Sequence, residues 1–112
     1  MVFIGVDIEE VDRFDNLDQV FINKIFTKKE IEYCISKKKP SQHFAVRFAA
    51  KEAVIKAFSS IQINLEFNQI EIINDKNGAP IVNLKMFQNH DIKISLSHSD
   101  KYAIAFVLVQ EK

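Results

Sequence analysis

Apolar and polar positions follow two different periods along the 112-residue chain. The opening VFIGVDI is a short apolar run with β-branched residues, which predicts a buried strand. Alternation puts Val2, Ile4, Val6 and Ile8 on one face and Phe3, Gly5 and Asp7 on the other. The spacing then turns helical. Phe14, Leu17, Phe21 and Ile25 recur at three- or four-residue steps, with Asp12 or Asp15 as the expected cap. Thr27 followed three residues on by Glu30 is a capping-box pattern that starts a second helix. That helix should stop near KKKP, because Pro40 disfavours helix at Lys39. Ser41 then caps a third, longer helix that runs to about Ser59.

After Ser60 the period becomes two. QIEIIN and APIVNL flank DKNG, a hairpin signature with its turn around Asn77 and Gly78. DIKISLSHS and YAIAFVLV flank a second turn at Asp100 and Lys101. A strand, three helices and then antiparallel hairpins make an α+β plan, and residues 1–112 read as one domain without linker or repeat. YAIAFVLV is apolar on both faces, Ile104, Phe106 and Leu108 on one and Ala103, Ala105, Val107 and Val109 on the other. One face can meet the helices, and the other calls for a partner.

The remaining composition is ordinary for a globular chain, with 47% apolar and 27% charged residues. No apolar run approaches the ~20 residues that span a bilayer, so no membrane segment is expected. The N-terminus turns acidic within a few residues and has no basic n-region, unlike a secretory signal. With Cys34 as the single cysteine, the expected setting is the reducing cytoplasm, and Cys34 reads as a small helix residue. Zero net charge argues against a general nucleic-acid binder. The charge is segregated, however. Asp7, Glu9, Glu10, Asp12, Asp15 and Asp18 crowd the start, and Lys24, Lys28, Lys29, Lys37, Lys38, Lys39, Arg47 and Lys51 fill the middle. An anion site near a cation site is one reading, and two solvated faces is the other.

The third helix contains RFAAKEAVIKAF, and in it Glu52 falls in line with Phe48 and Ile55. A carboxylate there needs something to offset its charge. Lys56, one turn on, is one candidate and a metal ion is the other. Asp7 is similarly out of place inside an apolar strand, beside the space that Gly5 leaves. Two oxygen ligands without a Cys/His cluster favour a hard ion such as Mg²⁺, which commonly binds one or two carboxylates together with substrate phosphates. Lys39, Arg47, Lys51 and Lys56 would suit those phosphates.

IGVDIEEVDR followed by RFAAKEAVIKAF resembles the small holo-[acyl carrier protein] synthases of the phosphopantetheinyl transferase superfamily. The family pattern is a Gly-x-Asp-Ile strand with an arginine six residues after the aspartate, then Arg-Phe-x-x-Lys-Glu-x-x-x-Lys-Ala. The NGAP turn and the ISLSHS strand match as well, so the resemblance spans essentially the whole chain. It implies the 4'-phosphopantetheinyl transferase fold, a homotrimer with active sites at subunit interfaces, and Mg²⁺ held by Asp7 and Glu52. It makes Lys56 the active-site lysine beside the phosphates. It gives Lys39, Arg47 and His98 to the phosphates of coenzyme A, with Ser97 and Ser99 nearby. Arg13, Phe21, Lys24 and Lys28 match the surface that docks an apo acyl carrier protein. The implied reaction moves 4'-phosphopantetheine from coenzyme A to a carrier serine.

Two departures stand out. The family has glycines after Lys-Ala, where this chain reads FSSIQINLEF, and Asp12, Asp15 and Asp18 interrupt a carrier-facing segment that is usually basic. The residues alone also allow a metal-dependent phosphodiesterase or nuclease, although Glu-x-x-x-Lys lacks the tight Glu-x-Lys grouping of one common nuclease core. A non-catalytic interaction module, with Glu52 and Lys56 as a helix pair, is the third reading. His43 and His90 read as surface residues.

Overall fold

The computed structural model describes residues 1–86 and 89–112. β1 (Val2–Glu10) leads through a 3-10 turn (Val11–Phe14) to α1 (Gln19–Ile25), α2 (Lys28–Ile35) and α3 (Pro40–Ser59). A second 3-10 turn (Phe67–Gln69) precedes β2 (Ile70–Asn74), β3 (Pro80–Leu84), β4 (His90–His98) and β5 (Tyr102–Glu111). This is the α+β order expected from the two periods.

The strands form two antiparallel sheets. Among the described residues β2 and β3 pair only with each other, while β5 lies between β1 and β4. In that larger sheet Val6 sits opposite Phe106, which sits opposite Ser95, and Asp7 sits opposite Ala105. The inner face carries Phe3, Ala103, Ala105, Val107 and Val109, all buried against α3. The outer face carries Ile4, Val6, Ile8, Ile104 and Phe106, between 41% and 60% exposed. β1 is therefore buried on one face only, and its branched residues face outward.

α3 approaches β1 very closely, which accounts for its alanines. A Cβ added at Gly5 would stand 1.9 Å from the Ala53 carbonyl oxygen. Ala49, Ala50, Ala53 and Ala57 are fully buried in the same cluster. Small residues on both elements let strand and helix backbones meet.

Local signals fared unevenly. The Thr27 hydroxyl accepts from the Glu30 N–H at 3.3 Å and the Glu30 carboxylate accepts from the Thr27 N–H at 2.8 Å, so the capping box forms. The Asn77–Gly78 turn forms with Gly78 at φ 85°, and the Asp75 carboxylate accepts from the Asn77 and Ala79 N–H groups. The second turn forms too, with the Ser99 N–H donating to the Tyr102 carbonyl at 2.8 Å. Ser41 does not cap α3. Lys39 is the N-cap and Pro40 opens the helix, where its fixed φ and missing donor cost nothing. Phe14 and Leu17 precede α1, which starts only after Asp18, and neither Asp12 nor Asp15 caps it. The helix-poor run Asp-Asn-Leu-Asp separates the 3-10 turn from the helix.

Candidate active site

The close contact of β1 and α3 brings Asp7, Glu9, Glu52 and Lys56 together. Lys56 Nζ donates to Asp7 Oδ1 at 2.9 Å and to the Val6 carbonyl at 3.1 Å. Lys56 therefore pairs across to the strand instead of making the intrahelical Glu52 pair, which was one of the two candidates. The bond to Asp7 raises Lys56 above the usual lysine range, so its half-exposed ammonium stays charged. Burial, then the Asp7 charge, raises Glu52, while Lys56 draws it back. Asp7 Oδ2 is buried and accepts no hydrogen bond. That orphaned oxygen beside a second carboxylate fits a hard cation that also takes phosphate oxygens. Among the described residues no group of three or more His, Cys, Asp or Glu side chains could hold a metal alone. The fit is thus to an ion held by two carboxylates plus substrate.

Sequence reasoning missed Glu9. Alternation puts it on the inner face with Asp7, and the structure buries it. Burial raises its carboxyl to about 7, helped by the neighbouring Asp7 carboxylate. Its Oε1 holds Arg13 Nη1 at 3.1 Å. The inner position could have been found by counting in twos from Asp7.

A second cluster lies on another side of α3. Arg47, five residues before Glu52 and so about 140° around the helix, is almost fully buried. Its Nη2 donates to Asn74 Oδ1 at 2.7 Å, its guanidinium lies 4.1 Å from the Tyr33 ring centroid, and its Nε has no partner. Asn74 Nδ2 in turn donates to the Gly78 carbonyl, so the NGAP turn orients the arginine. Arg47 opens onto a cleft of about 360 Å³ whose lining includes Tyr33, His43, Asn74, Ser95 and His98. Asp7, Glu52 and Lys56 are not part of that lining. His43 is half-buried there rather than on open surface, and His90 is half-buried with its ring near those of Phe3 and Phe58.

The other expected residues are placed as follows. Lys39 is exposed and pairs with Asp100 at 3.3 Å beside the β4–β5 turn. Ser97 lies opposite Ile104 on the outer sheet face, and Ser99 organises the β4–β5 turn, where its hydroxyl accepts from the Lys101 and Tyr102 N–H groups. Arg13 and Lys24 are exposed around α1, Lys28 opens α2, and Phe21 packs on Phe48. Lys51 is no phosphate partner. It is fully buried, its Nζ donates to the carbonyls of Ile25, Phe67 and Ile70, and it stands 2.7 Å from Glu30 Oε1. Cys34 is fully buried, and burial pushes its thiol up to about 12, so it packs as an inert core residue.

Comparison with known proteins identifies the family. The sequence profile of the 4'-phosphopantetheinyl transferase superfamily matches residues 3–107. Holo-[acyl-carrier-protein] synthases of Chloroherpeton thalassium and Thermodesulfovibrio yellowstonii are 39% and 44% identical, over 96% and 95% of this chain and 96% of each relative. A Bacillus anthracis holo-(acyl-carrier-protein) synthase in complex with CoA (3',5'-ADP) superposes with a TM-score of 0.85 at 32% identity, covering 98% of this chain and 96% of that one. The Helicobacter pylori enzyme in complex with coenzyme A gives 0.80 at 29%, covering 96% and 99%. On its profile, its relatives and its fold, the chain belongs to the 4'-phosphopantetheinyl transferase superfamily.

Proposed function

We propose that this chain carries out the holo-[acyl carrier protein] synthase reaction at sites shared between two copies. It transfers 4'-phosphopantetheine from coenzyme A to a serine of an apo acyl carrier protein and releases adenosine 3',5'-bisphosphate. The observation that carries the shared-site reading is the separation of the two clusters around α3. The carboxylates and Lys56 open on one side, and the Arg47 cleft opens on another. One coenzyme A joins them when the carboxylates of one copy meet the cleft of the next. The outer sheet face supports this assembly, because Ile4, Val6, Ile8, Ile104 and Phe106 form a contiguous apolar surface that a second copy would cover. A closed ring of three fits the family resemblance.

The carrier serine oxygen attacks the pantetheine-side phosphorus of the coenzyme A pyrophosphate. The bond from that phosphorus to the bridging oxygen breaks as the new one forms. Asp7 and Glu52 would hold Mg²⁺, which when bound neutralises charge on the pyrophosphate. Lys56, kept protonated by Asp7, faces the charge that grows on the leaving oxygen. Glu52 is the carboxylate placed to accept the serine proton. Positioning and charge thus supply most of the catalysis, as is usual for phosphoryl-centre transfer. Arg13, Phe21, Lys24 and Lys28 form the carrier-facing edge. There Glu9 holds Arg13, and Asp12, Asp15 and Asp18 lower the local positive potential.

The test is mass spectrometry of an apo carrier incubated with the protein, coenzyme A and Mg²⁺. The carrier gains one phosphopantetheine with the parent protein and none with Glu52→Gln. Adenosine bisphosphate released without a carrier would favour a phosphodiesterase. Absence of coenzyme A binding would favour an interaction module.

A further inference from the structure

His43 lines the Arg47 cleft without an assigned role. Its ring centroid is 5.7 Å from that of His98 and 5.8 Å from that of Tyr33. The groups that face it include two cations, Arg47 and Lys37. Arg47 comes from its own helix, Lys37 from beyond the end of α2, and His98 from β4, while Tyr33 of α2 contributes a neutral phenol. At the neighbouring β4–β5 turn, Asp100 is occupied by Lys39 and Gln42. The cleft is not satisfied internally, since the buried Arg47 keeps an unpartnered Nε.

Burial first, then the charges of Arg47, His98 and Lys37, hold the His43 imidazole below its ordinary value of 6.5. It is therefore neutral at pH 7 while the cleft is empty. An entering anion reverses the sign of its surroundings and favours the charged ring. A phosphomonoester, with a second pKa of about 6, brings close to two negative charges at neutral pH. Each phosphate of a pyrophosphate diester brings one. Coenzyme A has a single monoester, its 3'-phosphate.

We propose that His43 is a ligand of the coenzyme A 3'-phosphate and takes up a proton as that phosphate enters, so the cleft selects a monoester over a diester. This rests on the reading that the cleft holds a phosphate of coenzyme A. The proton comes from solvent, moves to the free ring nitrogen and returns when the ligand leaves, so no other reactant is needed.

The experiment is calorimetric titration of the assembled protein with coenzyme A and with dephospho-coenzyme A, in two buffers of different ionisation heat. The parent should take up protons with coenzyme A at about pH 7 and not with the dephospho compound. Its coenzyme A affinity should weaken as pH rises from about 6 to 8. His43→Gln should keep its circular dichroism, lose the uptake, and bind coenzyme A roughly tenfold more weakly at about pH 6, with unchanged affinity for dephospho-coenzyme A. Uptake that survives in His43→Gln comes from another group and overturns the proposal. Equal binding of both compounds without uptake also overturns it, and if carrier modification persists under those conditions the transferase reading stands alone. Failure of the parent to bind coenzyme A at all would overturn both.

Discussion

Replacing Lys51 by methionine should unfold the protein far more easily, although Lys51 stands next to Glu52 in the motif. The side chain is fully buried and ties α1, the second 3-10 turn, β2 and α2 to α3 through three carbonyls and Glu30. Methionine fills a similar volume and offers no donor. The three carbonyls lose the ammonium donor, Phe67 keeping only the Ile70 N–H, and the Glu30 carboxylate keeps the N–H groups of Thr27 and Ile72. Removing one member of a buried ion pair costs about 3–5 kcal/mol, because the other charge stays buried and unpaired. Total stability for a domain is roughly 5–15 kcal/mol, so Lys51→Met should lose a fifth or more of it. The assay is urea unfolding at fixed protein concentration, because assembly contributes to apparent stability. Exposed Lys29→Met serves as control and should stay within about 0.5 kcal/mol of the parent. A Lys51→Met variant within about 1 kcal/mol of the parent that fails to bind coenzyme A would refute the structural role and return Lys51 to the phosphate site.

Gly5→Ala should reduce transfer strongly, because the new Cβ would collide with the Ala53 carbonyl oxygen and push Asp7 away from Glu52 and Lys56; steady-state kinetics beside circular dichroism checks this. Glu9 gives a pH signature in metal-free buffer. A carboxyl raised from 4.5 to about 7 in the fold stabilises it fully below pH 4.5 and loses that contribution as pH rises through about 7. Melting temperatures between pH 5 and 8 should therefore fall with rising pH in the parent, and more gently in Glu9→Gln. Arg13→Ala should raise the Michaelis constant for the carrier and lower its salt dependence, and Arg47→Ala should weaken coenzyme A, which calorimetry and carrier titrations at two salt concentrations separate.

The legible parts of the fold were those written in local sequence. The Thr27 capping box, the Asn77–Gly78 turn and the alternation of β5 each depend on neighbours in the chain, and each formed as expected. Long-range choices were not legible. Nothing local pairs β1 with β5 or turns the branched face of β1 outward. Asp7 and Glu52 were visible because each violates the preference of its element. Lys51 violates nothing at the level of sequence, since a lysine in a helix looks exposed, and only packing reveals its three carbonyls. Tyr33 and Asn74 carried no signal, because their role is to orient Arg47 across 14 and 27 residues of chain.

The central claim is that each active site combines the carboxylates of one copy with the Arg47 cleft of another. It is tested by mixing Asp7→Ala with Arg47→Ala, at a coenzyme A concentration too low for Arg47→Ala to turn over, under conditions that exchange subunits, and measuring phosphopantetheine gained by an apo carrier. In a mixed trimer one junction pairs the intact Asp7 of one copy with the intact Arg47 of its neighbour. Random assortment of equal amounts then restores about a quarter of the parent activity. No recovery in verified mixed assemblies, or full activity from an isolated monomer, would contradict the claim.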